Sequence, residues 1–171
     1  MQKKYSVLMR SFHWVSAILI ITVLAIGVYM ANFNSTYKYD LYDLHKSFGM
    51  IILFITLLRI ITRLLSKIPT LPSGFNHIEI KLSKAVYFLM YLLTITMAVS
   101  GYLMSDLKGY SVKIFNFKVF SIFSINAEMA NIFHSMHMYS AYILIGVISL
   151  HILATIKHIV VEKINLLPRI I

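Results

Sequence analysis

Residues 134–158 read HSMHMYSAYILIGVISLHILATIKH, and this stretch decides the fold. It is long and apolar enough to form a membrane-spanning helix, yet it carries four of the seven histidines of the chain, His134, His137, His151 and His158. An imidazole is costly to bury in hydrocarbon unless both of its ring nitrogens find partners. The stretch therefore predicts a membrane helix whose histidines have a binding role.

The composition of the whole chain agrees with a membrane protein. Of its 171 residues, 59% are hydrophobic and only 13% are charged, and the mean hydropathy is +0.79. A soluble domain of this length cannot bury so much apolar surface. The chain has no cysteine, which excludes disulfides, thiolate metal sites, iron–sulfur clusters and haem attached covalently through C-x-x-C-H.

Four segments are long enough to cross a hydrocarbon core of about 30 Å, which takes roughly 20 apolar residues in a helix. We therefore predict an all-α membrane protein in which residues 1–171 form a single four-helix bundle. The predicted spans cover about residues 12–30, 44–65, 85–103 and 136–160.

The distribution of charge predicts the orientation of these spans. Four spans place both termini on the same side, and eleven of the sixteen Lys and Arg residues then lie on that side, with a net charge of +9 against +1 opposite. Basic residues are enriched in cytoplasmic segments. We therefore expect a multi-pass protein of the bacterial inner membrane with both termini in the cytoplasm. The same distribution accounts for the high positive charge without a nucleic-acid partner.

The longest connection predicted from the sequence runs from Ser105 to Ser135, on the outer side of the membrane. Part of it, KIFNFKVFSIF at residues 113–123, alternates aromatic residues with Lys and Asn. Such a segment is expected to lie in the outer membrane interface. The alternation leaves open whether it forms a strand or a helix.

The spacing of two histidines in the fourth span indicates paired sites. His137 and His151 are 14 residues apart, which is about 40° short of four helical turns and about 21 Å along the axis. The topology places His13 of the first span at the depth of His151, and His45 of the second span at the depth of His137. His134, His77 and His158 are interpreted as surface residues.

Each depth-matched pair has the donor set of a b-type haem, which takes two axial imidazoles from facing helices. We therefore predict two non-covalent haems b, with His13 and His151 at the inner iron and His45 and His137 at the outer iron. Gly27 and Gly49 lie at the depth of the outer pair, where a missing side chain could leave room for a macrocycle. Gly146 is expected to serve helix packing.

Haem propionates are anionic, and three basic residues near the predicted ligands are candidates to contact them. Arg10 precedes His13 by one turn, Lys46 follows His45, and Arg59 lies at the depth of the inner pair. An arginine that far along a span is costly unless it is paired.

The sequence resembles the bacterial cytochrome b561 family over essentially its whole length. The resemblance is carried by KYSVLMRSFHW (residues 4–14), LHKSFGMIILFITLLRIITRLL (44–65), YLLTITMAVSGYLMS (91–105), and MH with GVISLHILATIKH (136–137 and 146–158). It implies a four-helix membrane bundle with two b-type haems, whose ligand positions match His13, His45, His137 and His151. It also implies an oxidoreductase that moves electrons within the membrane, often with a quinone. Oxidation of superoxide with reduction of ubiquinone is an activity ascribed to the family.

Several residues suit this activity. Lysines on the outer side, such as Lys46, could gather a small anion such as superoxide. At the inner end Arg59, Lys157 and His158 could donate hydrogen bonds to a quinone carbonyl, and His158 could relay a proton.

Two other classes of function were weighed. The chain could be the haem-b membrane anchor of a larger respiratory enzyme, such as a hydrogenase or formate dehydrogenase, docked through the long outer loop. A metal or proton transporter usually carries carboxylates inside the membrane, and all six acidic residues here lie outside the predicted spans or at their edges. The sequence therefore disfavours a transporter.

Overall fold

Four long helices make up most of the protein. The computed structural model describes residues 4–33, 36–70 and 74–171. Lys3, one of the eleven basic residues predicted on the side of the termini, lies outside these ranges. The helices are α1 (Val7–Asn32), α2 (Lys38–Leu65), α3 (His77–Leu107) and α4 (Ala127–Val160). All four are long and apolar enough to span a membrane, as the sequence predicts.

Each helix is longer than the apolar span predicted for it, and in α1, α3 and α4 a polar capping residue sets where the helix begins. The Ser6 hydroxyl accepts a hydrogen bond from the Met9 amide at the start of α1. Asn76 and Glu79 form a reciprocal capping box at the start of α3. The Asn126 side chain accepts from the Met129 amide at the start of α4, so this helix begins nine residues before its predicted span.

Helix α1 packs on α2, α2 on α3, and α3 most extensively on α4. The chain segments before α1 and after α4 meet, since the Tyr5 amide donates a hydrogen bond to the Arg169 carbonyl at 3.0 Å. We call this end of the bundle the inner end, and the opposite end the outer end.

The bundle is apolar on its outside as well as its inside. Side chains such as Ile18, Phe54, Phe88 and Leu153 are more than half exposed although they lie in the middle of helices. A surface of this kind suits hydrocarbon as the surrounding solvent. The buried core consists of side chains contributed by all four helices: Ile20, Val23, Ile52, Leu93, Met97, Leu144 and Val147.

The connection from α3 to α4 contains a small β-hairpin, which answers the question of strand or helix left open by the sequence. Strands β1 (Lys113–Ile114) and β2 (Phe117–Lys118) pair antiparallel, and Phe115 in the turn has a φ of +51°. The buried Ser47 hydroxyl of α2 donates to the Lys113 carbonyl at 3.1 Å and accepts from the Phe115 amide at 2.9 Å. The hairpin is therefore fixed to the outer end of α2, close to His45.

Candidate functional site

The two outer histidines lie next to each other in the interior of the bundle. The ring centres of His45 and His137 are 6.0 Å apart, and the ring planes are inclined by 73°. Two imidazoles that bind one metal from opposite sides, at about 2.0–2.1 Å each, have ring centres about 6 Å apart. The spacing of this pair would therefore let the two side chains hold one metal ion between them.

Two glycines make room for these imidazoles. A Cβ atom on Gly27 would lie 3.1 Å from His45 Cε1, and one on Gly101 would lie 2.9 Å from both Cε1 and Nδ1 of His137. Gly27 thus lies at the depth expected from the sequence, but it directly accommodates the His45 ring. The role of Gly101 was not predicted; the small pair Ser100–Gly101 in an otherwise bulky run was the available signal. At Gly49 and Gly146, no described residue outside their own helix lies within 4 Å of the Cβ position, so the packing role expected for Gly146 is not seen.

The hydrogen bond of His137 determines which of its ring nitrogens is available to bind a metal. Nδ1 lies 2.7 Å from the Met97 carbonyl, and because a carbonyl only accepts, Nδ1 carries the ring proton. The lone pair is then on Nε2, the arrangement of metal-binding histidines whose other nitrogen is oriented by a neighbouring acceptor. Within the described ranges, His45 Nδ1 is buried without a well-formed hydrogen bond, although the Val23 carbonyl lies nearby.

At the inner end, the four helices and the segment after α4 enclose a cavity of about 510 Å³. His13 of α1 and His151 of α4 both line it, so the structure brings the predicted inner pair to one cavity. Cavities of about 300–1,000 Å³ are typical of sites for cofactors and other small molecules. The lining is mainly aliphatic and aromatic. Besides the two histidines and three arginines, its polar groups are the hydroxyls of Thr56, Thr62, Thr94 and Thr155 and the phenols of Tyr5, Tyr87 and Tyr91.

Arg59 is the predicted cation that the structure places directly beside an inner histidine. Its Nη1 donates to the buried Ser16 hydroxyl at 2.7 Å, and its Nη2 lies 3.2 Å from His13 Nδ1. A guanidinium only donates, so Nδ1 accepts and the His13 proton is on Nε2. A metal bound to Nε2 requires the opposite tautomer, in which Nδ1 carries the proton. If His13 held a metal through Nε2, Arg59 could no longer donate to Nδ1, and its guanidinium would be available to an anionic group.

The other predicted cations lie elsewhere. Arg10 donates through Nη1 to a main-chain oxygen of Ile171 and is not among the residues that line the cavity. The Lys46 ammonium lies 5.5 Å from the centre of the Tyr110 ring at the outer end. Arg63, one turn beyond Arg59 on α2, also lines the cavity, and so does Arg169, which was not predicted.

Lys157 and His158 belong to an ion-pair cluster on the inner surface. The Lys157 ammonium lies 3.0 Å from a Glu79 oxygen and 2.5 Å from a Glu162 oxygen, and His158 Nδ1 lies 2.5 Å from the other Glu162 oxygen. The adjacent Lys157 and His158 hold the pKa of the Glu162 carboxyl below its usual range. The cluster joins the start of α3 to the end of α4. His134 and His77 are exposed.

The comparisons with known proteins agree with this architecture. Residues 4–171 match the family model described as "Prokaryotic cytochrome b561". The chain is 24% identical to "Cytochrome b561 homolog 2" of Escherichia coli (strain K12), over 99% of this chain and 92% of that protein. It is 27% identical to "Probable superoxide oxidase CybB" of Yersinia pestis, over 99% of this chain and 96% of the relative.

Proposed function

Since this chain belongs to the prokaryotic cytochrome b561 family, which binds b-type haem and transfers electrons in the membrane, we propose that it is a diheme superoxide:ubiquinone oxidoreductase. In this proposal the outer haem is bound by His45 and His137, and the inner haem by His13 and His151. The observation that carries the proposal is the arrangement of four buried or half-buried histidines as two pairs at opposite ends of one bundle.

The residues around each pair suit a haem b held without covalent bonds. At the outer pair, the 6.0 Å ring spacing and the Nδ1–Met97 bond of His137 support axial ligation. At the inner pair, the cavity offers an apolar lining and arginine side chains for the propionates. Each haem, when bound, supplies one-electron redox chemistry at its iron. The side chains described here bind it, orient it and exclude water from it.

The outer surface supports superoxide as the electron donor. Lysines around the hairpin, including Lys108, Lys113 and Lys118, attract a small anion. Among these lysines, the buried Asp106 carboxylate accepts hydrogen bonds from the Ser121 hydroxyl and from the Ile122 and Phe123 amides. Electrostatic steering of this kind raises encounter rates and weakens with salt. A relative bears the name "Probable superoxide oxidase", which supports the same donor.

A quinone as the second substrate satisfies the electron balance of superoxide oxidation. Two superoxide ions each give up one electron and leave as O2, and one quinone takes both electrons with two protons to become a quinol. We place the quinone head group at the inner end, beside Lys157 and His158. These side chains can donate hydrogen bonds to its carbonyl oxygens, and the His158–Glu162 pair can deliver protons from the aqueous phase.

One observation favours a second candidate, a membrane-anchor subunit of a larger respiratory enzyme. Large apolar side chains are exposed around the outer hairpin: Phe117, Phe120 and Ile125 are each at least 75% exposed. An apolar patch next to a membrane surface suits a protein partner as well as lipid. An anchor cytochrome would transfer electrons from that partner and would not react with superoxide by itself.

The deciding experiment uses the purified chain in lipid nanodiscs with ubiquinone. A pyridine haemochrome assay should give about two haems per chain, and stopped-flow absorbance should show haem reduction by superoxide that slows as salt is added. Reoxidation by quinone should slow in His158→Ala but not in His77→Ala, which removes an exposed histidine from the start of α3.

The haem pairing, the reaction with superoxide and the quinone site can each be contradicted by a separate result. One haem per chain would contradict the pairing. Haem that superoxide does not reduce would favour the anchor subunit. Equal quinone reoxidation in both histidine variants would remove His158 from the quinone site.

A further inference from the structure

The segment after α4 folds back onto the inner cavity and forms part of its wall. Leu167–Arg169 form a short 3-10 helix, and Leu166, Leu167 and Ile170 line the cavity together with Arg169. The Trp14 indole of α1 donates to the Ile170 carbonyl at 3.0 Å. These contacts bring a cation from the far end of the sequence to the cavity that His13 and His151 also line.

Arg169 is buried more completely than most charged side chains. Its residue is 3% exposed, and its Nη2 donates to the Pro69 and Thr70 carbonyls at 2.9 and 2.8 Å. Its Nε is buried and has no hydrogen-bond partner among the residues that the structure describes. A buried guanidinium that is satisfied only in part is costly, and an anionic partner removes that cost.

The charge around the cavity is unbalanced. Among the described residues that line it are three arginines, Arg59, Arg63 and Arg169, and no Asp or Glu. Arg59 is engaged by Ser16 and His13, and the Arg63 guanidinium lies 5.1 Å from the centre of the Tyr87 ring. The cavity is therefore suited to an occupant that combines a large apolar body with negatively charged groups.

We propose that Arg169 is a carboxylate-binding residue of the inner cavity and that its guanidinium binds a propionate of the haem held there. This inference rests on the proposed function, because it takes the inner pair as a haem site. Charge-assisted hydrogen bonds from an arginine to a carboxylate are short and geometrically specific. In this role Arg169 tethers the segment after α4 to the cofactor, beyond the contacts with Pro69 and Thr70.

The test compares three variants of the haem-loaded protein purified from membranes. Arg169→Gln removes the charge, Arg169→Lys keeps it without the planar fork, and Trp14→Phe weakens the same wall through the Ile170 bond without changing charge. Two quantities are measured: the rate of haem transfer to excess apomyoglobin, and the propionate bending band in resonance Raman spectra, which responds to hydrogen bonds on the propionate.

In Arg169→Gln, transfer of one of the two haems should accelerate by about 10- to 100-fold, the loss expected for a charged hydrogen bond, and the propionate band should shift. The haem transfer rate and the band position of Arg169→Lys should lie between those of Arg169→Gln and the wild type. Trp14→Phe should leave the band unchanged. An unshifted band in Arg169→Gln, with or without faster transfer, would overturn the inference and leave Arg169 a purely structural contact. A wild-type protein with a single haem would instead contradict the proposed pairing, which the haem count reports separately.

Discussion

Gly101 of α3 lies against the imidazole of His137, so closely that a Cβ atom at position 101 would be 2.9 Å from two atoms of the ring. The Gly101→Ala substitution should therefore displace His137 or push α3 away from α4. We expect a loss of about 1–3 kcal/mol in the free energy of unfolding, as for overpacked cores, together with weaker retention of the outer haem. Thermal unfolding in detergent and the haem content of the folded fraction measure both effects.

Gly146→Ala is the matched control for that substitution. Gly146 also lies within a membrane helix, but nothing is within 4 Å of its Cβ position, so alanine there should be neutral or stabilise the helix by up to about 1 kcal/mol. Equal behaviour of the two variants would show that the contact at Gly101 does not constrain His137.

His134 and His137 allow a direct test of the outer ligand, because they lie three residues apart on α4. His137 is half-buried and hydrogen-bonded to Met97, whereas His134 is exposed. The haem content should fall from two to one in His137→Ala and stay at two in His134→Ala, as measured by pyridine haemochrome on monodisperse protein. The reverse pattern would move the outer ligand to His134.

The Ser16 hydroxyl links Arg59 to the helix that carries His13. It is fully buried, donates to the His13 carbonyl at 3.0 Å and accepts from Arg59. Ser16→Ala leaves a guanidinium donor without its partner, so we expect a loss of about 1–3 kcal/mol in the free energy of unfolding.

Ser149→Ala is the control for Ser16, since the Ser149 hydroxyl is exposed and bonds only within its own helix, to Ile145. Its effect should be within about 0.5 kcal/mol. If both serine variants unfold alike, the Ser16–Arg59 bond contributes nothing measurable to stability.

Asp106 organises the end of the outer loop through its bonds to Ser121, Ile122 and Phe123. Asp106→Asn replaces one acceptor oxygen with a donor, so the loop should open more often. Trypsin should then cleave after Lys113 or Lys118 faster than in wild type. Glu128→Gln, an exposed acidic residue in the first turn of α4, should leave the cleavage rate unchanged; faster cleavage there as well would indicate a general effect of charge.

The sequence predicted the parts of this structure that depend on distance along one helix. The register of His137 and His151 follows from the rise and twist of α4 alone, and their partners follow from topology. Gly101 lies opposite His137 on another helix, and that relation depends on how α3 is rotated against α4. Arg169 reaches the cavity only through the fold of the segment after α4. Neither relation has a periodic signal in the sequence.

The buried core between the two histidine pairs affects how electron transfer through the protein depends on the membrane potential. Its members, from Ile20 to Val147, are all apolar, and under the proposed function a quinone reduced at the inner end would draw its protons from the inner aqueous phase. If the termini face the cytoplasm, as the charge distribution predicts, an electron that crosses this core moves toward the negative side of the membrane. Such a crossing is opposed by up to about 2.3 kcal/mol per 100 mV. Superoxide oxidation would then be electrogenic and would slow as the membrane becomes energised.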